Sequence, residues 1–276
     1  MSLAHDLQFA ADLARGAGKI VLEQYGKVER LTKTHAAANM EAVTDADRTS
    51  QRFIVAGLRK RYPNDGLIGE ESESGESITF ECRDPRGRNW VIDPIDGTNN
   101  FIAGLGTFGV CIALLDRGFP VLGVVYDVAR DVMYTAAERQ GAWCGSKRMG
   151  ALTTPLSESS MIMFTSNLLT SGRCPDWAHK FLAQDHWKLR ILGSAAIEAV
   201  YVAAGVAHAA VTVNGKLWDV AAAAALVIEA GGVITDFAGR AIFPFDLSNY
   251  AGAKVPFLAA GPAAHKPLLE LIDAHP

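Results

Sequence analysis

The chain has 276 residues, 49% hydrophobic and 20% charged, a globular composition that excludes the disordered, collagen-like and disulfide-scaffold classes. A net charge of −4 and a pI near 6.0 give no field that would gather nucleic acid or an anionic membrane. Cys82, Cys111, Cys144 and Cys174 form no CxxC or CxxH cluster, which argues against a structural zinc and for reduced thiols in a cytoplasmic protein.

In chain order, Met1 to Asp6 show no basic region followed by an apolar one, so no signal peptide is expected. Leu3, Leu7, Ala10, Ala14, Ala17, Val21 and Tyr25 recur at helical spacing and predict an amphipathic helix ending at Gly26. Polar sequence follows, and Thr34 to Met40 reads as an exposed, mobile loop. A second helix is expected from Thr44 to Arg61, closed by Pro63, with Thr44 and Asp47 as a capping-box pair at its start. Short β-like runs then dominate: Trp90 to Ile92, Val110 to Leu115, Val121 to Tyr126 and Val132 to Thr135, an antiparallel pattern.

After Gly150 strands and helices alternate. Ile162 to Thr165, Lys188 to Leu192, Ala207 to Val213 and Val233 to Thr235 read as strands. Trp177 to Leu182, Ala195 to Ala204 and Asp219 to Ala230 read as helices. The longest apolar run, Val220 to Ile228, is half of what a bilayer span needs. Layered α/β architecture follows. Two lobes are expected, residues 1–150 and 151–276, within one compact unit.

The chemistry concentrates in Trp90-Val91-Ile92-Asp93-Pro94-Ile95-Asp96-Gly97-Thr98-Asn99-Asn100-Phe101. An apolar strand delivers two aspartates into a turn where Gly97 permits tight geometry and Thr98 can open a helix whose N–H groups suit an anion. Buried carboxylates are costly without a cation, and hard ions such as Mg²⁺ take carboxylate oxygens. Gly104 to Gly109 matches GxGxxG, but a strand follows where a nucleotide fold needs a helix. Glu70-Glu71, Asp47 and Asp219 each admit a plain reading as surface acids or helix caps.

Taken in order, VTxxD, GEE, WxIDPIDGTxNF and WDxAA resemble the inositol monophosphatase family of lithium-sensitive, magnesium-dependent phosphatases. The resemblance implies an αβαβα five-layer sandwich of the inositol monophosphatase and fructose-1,6-bisphosphatase type, usually a homodimer. It implies two or three Mg²⁺ held by Glu70, Asp93, Asp96, Asp219 and the Ile95 carbonyl. Asp47 and Thr98 would orient the attacking water, with Glu70 also catalytic and Glu71 nearby. Gly97 and Thr98 would hold phosphate, and Gly193, Ser194, Ala195 and position 212 would contact the substrate.

Two positions depart from the family pattern. Ala36 stands where a lysine is usual, leaving Lys33 or Glu41 to gather or screen charge. Thr212 stands where a glutamate grips a sugar hydroxyl. Asn214 could compensate. Lys216 would favour a second anionic group if it enters the pocket, or be a solvent-facing turn if it does not.

The expectation is therefore Mg²⁺-dependent hydrolysis of a small polyol or sugar phosphate, with no nucleic acid or membrane partner. Alternatives are histidinol-phosphate phosphatase, fructose-1,6-bisphosphatase, 3′(2′),5′-bisphosphate nucleotidase and, in another class, a non-catalytic metal- or anion-binding regulator.

Overall fold

The structure, a computed structural model, describes residues 2–27, 36–71, 79–164, 175–183 and 187–273, of which 36–44, 79 and 273 are described by their backbone alone. Helices α1 (Leu3–Gln24) and α2 (Ala36–Arg61) precede the first sheet. Its strands are β1 (Gly66–Gly69), β2 (Thr79–Glu81), β3 (Arg88–Asp96), β4 (Gly109–Asp116), β5 (Phe119–Asp127), β6 (Val132–Ala137), β7 (Gly141–Cys144) and β8 (Lys147–Arg148), with α3 (Thr98–Ala103) between β3 and β4. They run in the order β2-β1-β3-β4-β5-β6-β7-β8. Pairing is antiparallel, as the short runs and turns imply, except that β1 lies parallel to β3.

The reading of Thr34 to Met40 as a loop is corrected over residues 36–40, which belong to α2. Three consecutive alanines are strong helix formers and need no apolar period to adopt that state. Thr34 and Lys33 lie outside the described residues, as does the side chain of Glu41. With α2 beginning at Ala36, Thr44 and Asp47 are interior helix positions, so the capping-box reading is overturned.

The second sheet contains β9 (Met161–Phe164), β10 (Lys188–Arg190), β11 (Ala209–Thr212), β12 (Val233–Thr235) and β13 (Phe257–Ala260). Their order is β10-β9-β11-β13-β12. Helices α4 (Asp176–Leu182), α5 (Ala195–Ala203), α6 (Leu217–Glu229) and α7 (Pro262–Asp273) complete the chain. Strand β13 and helix α7 extend the alternation beyond Thr235. Among the described residues, no helix is long and apolar enough to cross a membrane.

Three apolar clusters define five layers. Ala10, Leu13, Ala14, Ile54 and Leu58 of α1 and α2 pack on one face of the first sheet, against Trp90, Ile92, Ile112 and Val124. The opposite face, through Val91, Ala113 and Val125, meets α5 and α6. Those helices in turn cover one face of the second sheet, and Trp177, Phe181, Leu268 and Ile272 of α4 and α7 cover the other. A sheet buried on both faces explains why β3 to β5 read as continuous apolar runs rather than alternating ones.

Helix α6 is apolar nearly all round because it lies between two sheets. Ala221 to Ala225 are all buried, and their small side chains permit close approach. On β5 the approach requires a glycine: a Cβ on Gly123 would sit 2.3 Å from the Ala222 carbonyl oxygen and 2.8 Å from the Ala225 Cβ. Helix and strand backbones are in contact here, so Gly123→Ala must push α6 away from the sheet. The expected cost is about 1–3 kcal/mol of overpacking, measurable as a lower urea midpoint with an unchanged m-value. A midpoint equal to the parent's would refute this close packing.

Candidate functional site

Residues three apart in a regular strand face opposite ways. Asp93 and Asp96 escape that rule through a bulge. Asp93 pairs with Cys111 and Asp96 with Gly109, so three steps on β3 match two on β4. Pro94 has no N–H to offer the ladder, and the Ile95 N–H turns to Asp93 Oδ1 at 2.9 Å. The extra residue brings both carboxyl groups to the face covered by α5 and α6.

The other acids arrive from separate elements. Because β1 runs parallel to β3, with Gly69 opposite Ile92, Glu70 follows directly onto Asp93. Its N–H donates to the Ile92 carbonyl at 3.3 Å, and its carboxyl group shares a hydrogen bond with Asp93. Asp219, in the first turn of α6, accepts the Lys216 N–H at 2.8 Å. One carboxylate oxygen from each of Asp93, Asp96 and Asp219 lies within 4.8 Å of the others. Asp96 is held from across the molecule: Ser194 Oγ and the N–H groups of Ala195 (3.2 Å) and Ala196 (2.9 Å), opening α5, all donate to it.

Burial, then mutual repulsion, sets the electrostatics. Burial and the nearby Asp219 push Glu70 up to about 8, while burial and Asp96 push Asp219 up to about 7. Burial followed by Glu70 and Asp219 raises Asp93 well above the carboxylate range. Asp96 is raised by burial, against the pull of its bonds from Ser194, Ala196 and Ala195. Oxygen-only donors, buried together and costly to ionise without a counter-charge, match the chemistry of a hard divalent cation.

Asp47 reaches the cluster from α2. It is 4% exposed, and its Oδ1 is buried with no hydrogen-bond partner. Burial, then Glu70 and Glu71, raises its pKa. Two neighbours fix this helix against the motif. Ser50 Oγ donates to the Pro94 carbonyl at 3.4 Å. Gln51 grips the backbone of Glu71, accepting its N–H at 3.0 Å and donating to its carbonyl. The Glu71 carboxylate lies 3.9 Å from Arg48 Nε.

Thr98 opens α3, and its hydroxyl donates to the Ile95 carbonyl at 2.9 Å. Gly97 before it has φ 93°, and a Cβ there would come within 2.9 Å of the Thr107 carbonyl oxygen. Only glycine fits this turn. Beside it opens a cavity of about 140 Å³ lined by Asp96, Asp219, Gly193, Ser194, Ala195, Glu198, Thr212, Asn214 and Gly215. The expected substrate contacts Gly193, Ser194, Ala195 and Thr212 thus share one cavity with Asp96 and Asp219 of the acid cluster.

Lys216 is corrected on both counts: its Nζ donates to the Gly252 carbonyl, neither entering the cavity nor standing free in solvent. Three residues escaped the sequence reading. Gln51 left no signal, being one polar residue among many on α2. Asn100 donates to the Thr107 and Leu192 carbonyls, both at 2.7 Å, tying α3 to the loop before α5; its place inside the central motif was a usable clue. Glu198 was visible as the one acid in the apolar run of α5.

Residues 2–275 match the Inositol monophosphatase family. The chain is 35% identical over 237 residues to a fructose-1,6-bisphosphatase/inositol-1-monophosphatase of Thermotoga maritima, spanning 85% of this chain and 86% of that one. It is 34% identical over 245 residues to the Nus factor SuhB of Pasteurella multocida, spanning 84% and 85%. Among solved structures, inositol monophosphatase-II of Staphylococcus aureus superposes with a TM-score of 0.80 at 28% identity, covering 97% of this chain and 95% of that one.

The raised carboxyl groups make a pH prediction. Folded, Glu70 and Asp219 titrate near 8 and 7; unfolded, such groups titrate near 4. Between those values the folded chain holds protons that the unfolded chain has released, so stability falls as pH rises from about 4 to about 8. In EDTA the melting temperature should therefore be lower at about pH 8 than at about pH 5.5, and Mg²⁺ should raise it more at the higher pH. A Mg²⁺ effect independent of pH would contradict the placement of these acids.

Proposed function

The chain belongs to the inositol monophosphatase family, and on that footing we propose that it hydrolyses a phosphate monoester of a small polyol or sugar with Mg²⁺ as cofactor. The observation that carries the reading is Asp47 Oδ1, a buried and unpartnered carboxylate oxygen beside an all-oxygen cluster. Asp93, Asp96, Asp219 and Glu70, with the Ile95 carbonyl, would hold two or three ions. When bound, these neutralise the dianionic ester, polarise its phosphoryl oxygens and acidify water.

The chain's own groups do the rest. Asp47 Oδ1 accepts a proton of the attacking water through a hydrogen bond. Thr98, whose own proton goes to the Ile95 carbonyl, presents a lone pair to the same water. N–H groups of Gly97 and Thr98 receive a phosphoryl oxygen at the start of α3. Glu70 completes the water site, and Glu71 is held beside it by Gln51. Nothing in this arrangement calls for a covalent phosphoenzyme, and the rate comes from positioning and charge stabilisation.

A second reading, a metal- or anion-binding regulator, is supported by the name of the Nus factor relative. Such a protein has no use for a buried water-orienting acid, and Asp47 favours the enzyme. The family resemblance also supports a cytoplasmic, lithium-sensitive homodimer whose two lobes form one unit.

The test is release of inorganic phosphate from a panel containing inositol 1-phosphate, glycerol phosphate, histidinol phosphate and fructose 1,6-bisphosphate, with Mg²⁺ and with EDTA. Turnover is expected with Mg²⁺ only. Asp93→Asn or Asp219→Asn should lower it by about 10²–10³-fold. Asp47→Asn should lower kcat by about 10²–10⁴-fold with KM little changed. Near-parental turnover in the Asp47 variant would remove the basis of the assignment.

A further inference from the structure

Asp219 joins the acid cluster from the first turn of α6, so its place depends on how that helix begins. A helix start leaves backbone N–H groups without intrahelical acceptors, and a Ser, Thr, Asp or Asn before the first turn normally takes one of them. Lys216 stands there instead, and an ammonium has no lone pair to offer. Its own N–H goes to Asp219 Oδ2 at 2.8 Å, so the carboxylate that joins the cluster also closes the helix start. The next N–H, that of Leu217, is taken at 2.9 Å by the hydroxyl of Tyr250, 33 residues downstream. Other bonds follow the same path. The Lys216 ammonium donates to the Gly252 carbonyl, the Val255 N–H donates to the Gly215 carbonyl at 2.6 Å, and the Trp218 ring meets the Tyr250 ring edge-on at 6.2 Å. Residues 215 to 218 are therefore each attached to one segment, 250–255, which has no helix or strand of its own. Tyr250 is buried and seats edge to face on Phe245 at 5.3 Å.

We propose that Tyr250 and Lys216 are positioning residues for Asp219, clamping the first turn of α6 to segment 250–255 so that the carboxylate meets the metal in fixed relation to Asp93 and Asp96. This rests on the metal-dependent reading above. The two residues act through the backbone of Lys216 and Leu217, which carries Asp219. A ligand left free to move must be ordered by the ion that binds it, and groups that orient metal ligands accordingly govern metal affinity.

Three variants separate positioning from plain stability. Tyr250→Phe keeps the ring contacts with Trp218 and Phe245 and deletes the acceptor for the Leu217 N–H, with no change of charge. Mg²⁺ is titrated by the rise in melting temperature over the EDTA value and by phosphate release from glycerol phosphate. The Mg²⁺ concentration at half-effect should rise about three- to tenfold in both, while kcat at saturating Mg²⁺ stays within about twofold of the parent's. Lys216→Met keeps the stem and removes a cation near Asp219. By charge alone Mg²⁺ would then bind more tightly, so weaker binding in this variant reports position. Tyr62→Phe is the control: it deletes an equally buried phenol hydroxyl that donates to Asp6 at 2.6 Å on the α1–α2 face of the first sheet. It should lower the melting temperature and leave the Mg²⁺ half-point in place. A parental half-point in Tyr250→Phe, an equal shift in Tyr62→Phe, or tighter Mg²⁺ binding in Lys216→Met would each overturn the clamp. A parent that Mg²⁺ neither stabilises nor activates would overturn the metal-dependent reading and the clamp with it. The melting titration needs no turnover, so a parent stabilised by Mg²⁺ beside an unshifted Tyr250→Phe overturns the clamp alone.

Discussion

The rest of the molecule is organised around one electrostatic problem: keeping several carboxyl groups together, out of water, at one point. Each is disfavoured by burial and again by its neighbours, and a chain free to relax would separate them. Separation is prevented because each acid is fixed by a different rigid element: β3 and its bulge, the end of β1, the first turn of α6 and the interior of α2. The hydrogen bonds from Ser194, Ala195 and Ala196 to Asp96 serve the same end, since they favour the charged form where burial opposes it.

Packing supplies the stiffness that this requires. Helix α6 carries Asp219 at its start and lies between two sheets, with Gly123 letting it touch the strand beneath. Asn100 and Gly193 form a second contact of that kind: a Cβ on Gly193 would come within 3.1 Å of the Asn100 side chain. Both contacts join the chain's first sheet, or the motif next to it, to segments from its second half. The geometry of the acids is therefore a property of the whole layered fold rather than of a local loop.

Much of this was legible in the sequence, and the exceptions have physical causes. Strands β3 to β6 were evident from apolar runs bounded by turns, and α1 from its period. The start of α2 was missed because helix propensity in an alanine-rich stretch carries no apolar pattern. The same error made Asp47 look like a cap, when the helix continues past it in both directions. The acids of the cluster could be named from their motifs, but the bulge that turns Asp93 and Asp96 to one side could not. It depends on register with β4, which no single segment encodes. Lys216 went astray for a similar reason: its partner, the Gly252 carbonyl, is thirty-six residues away.

The acid cluster and the cavity beside it draw on different stretches of chain. Asp47, Glu70 and the segment from Asp93 to Thr98 all come from the first hundred residues, whereas Gly193 to Glu198 and Thr212 to Gly215 come from the second half. Apart from Asp219 and the bonds to Asp96, the acid cluster and the residues lining the rest of the cavity are written far apart in the gene. Replacements at positions such as 198, 212 or 214 leave the first-half acids untouched. A scaffold built this way can change its cavity lining in single steps, each intermediate keeping its acid cluster.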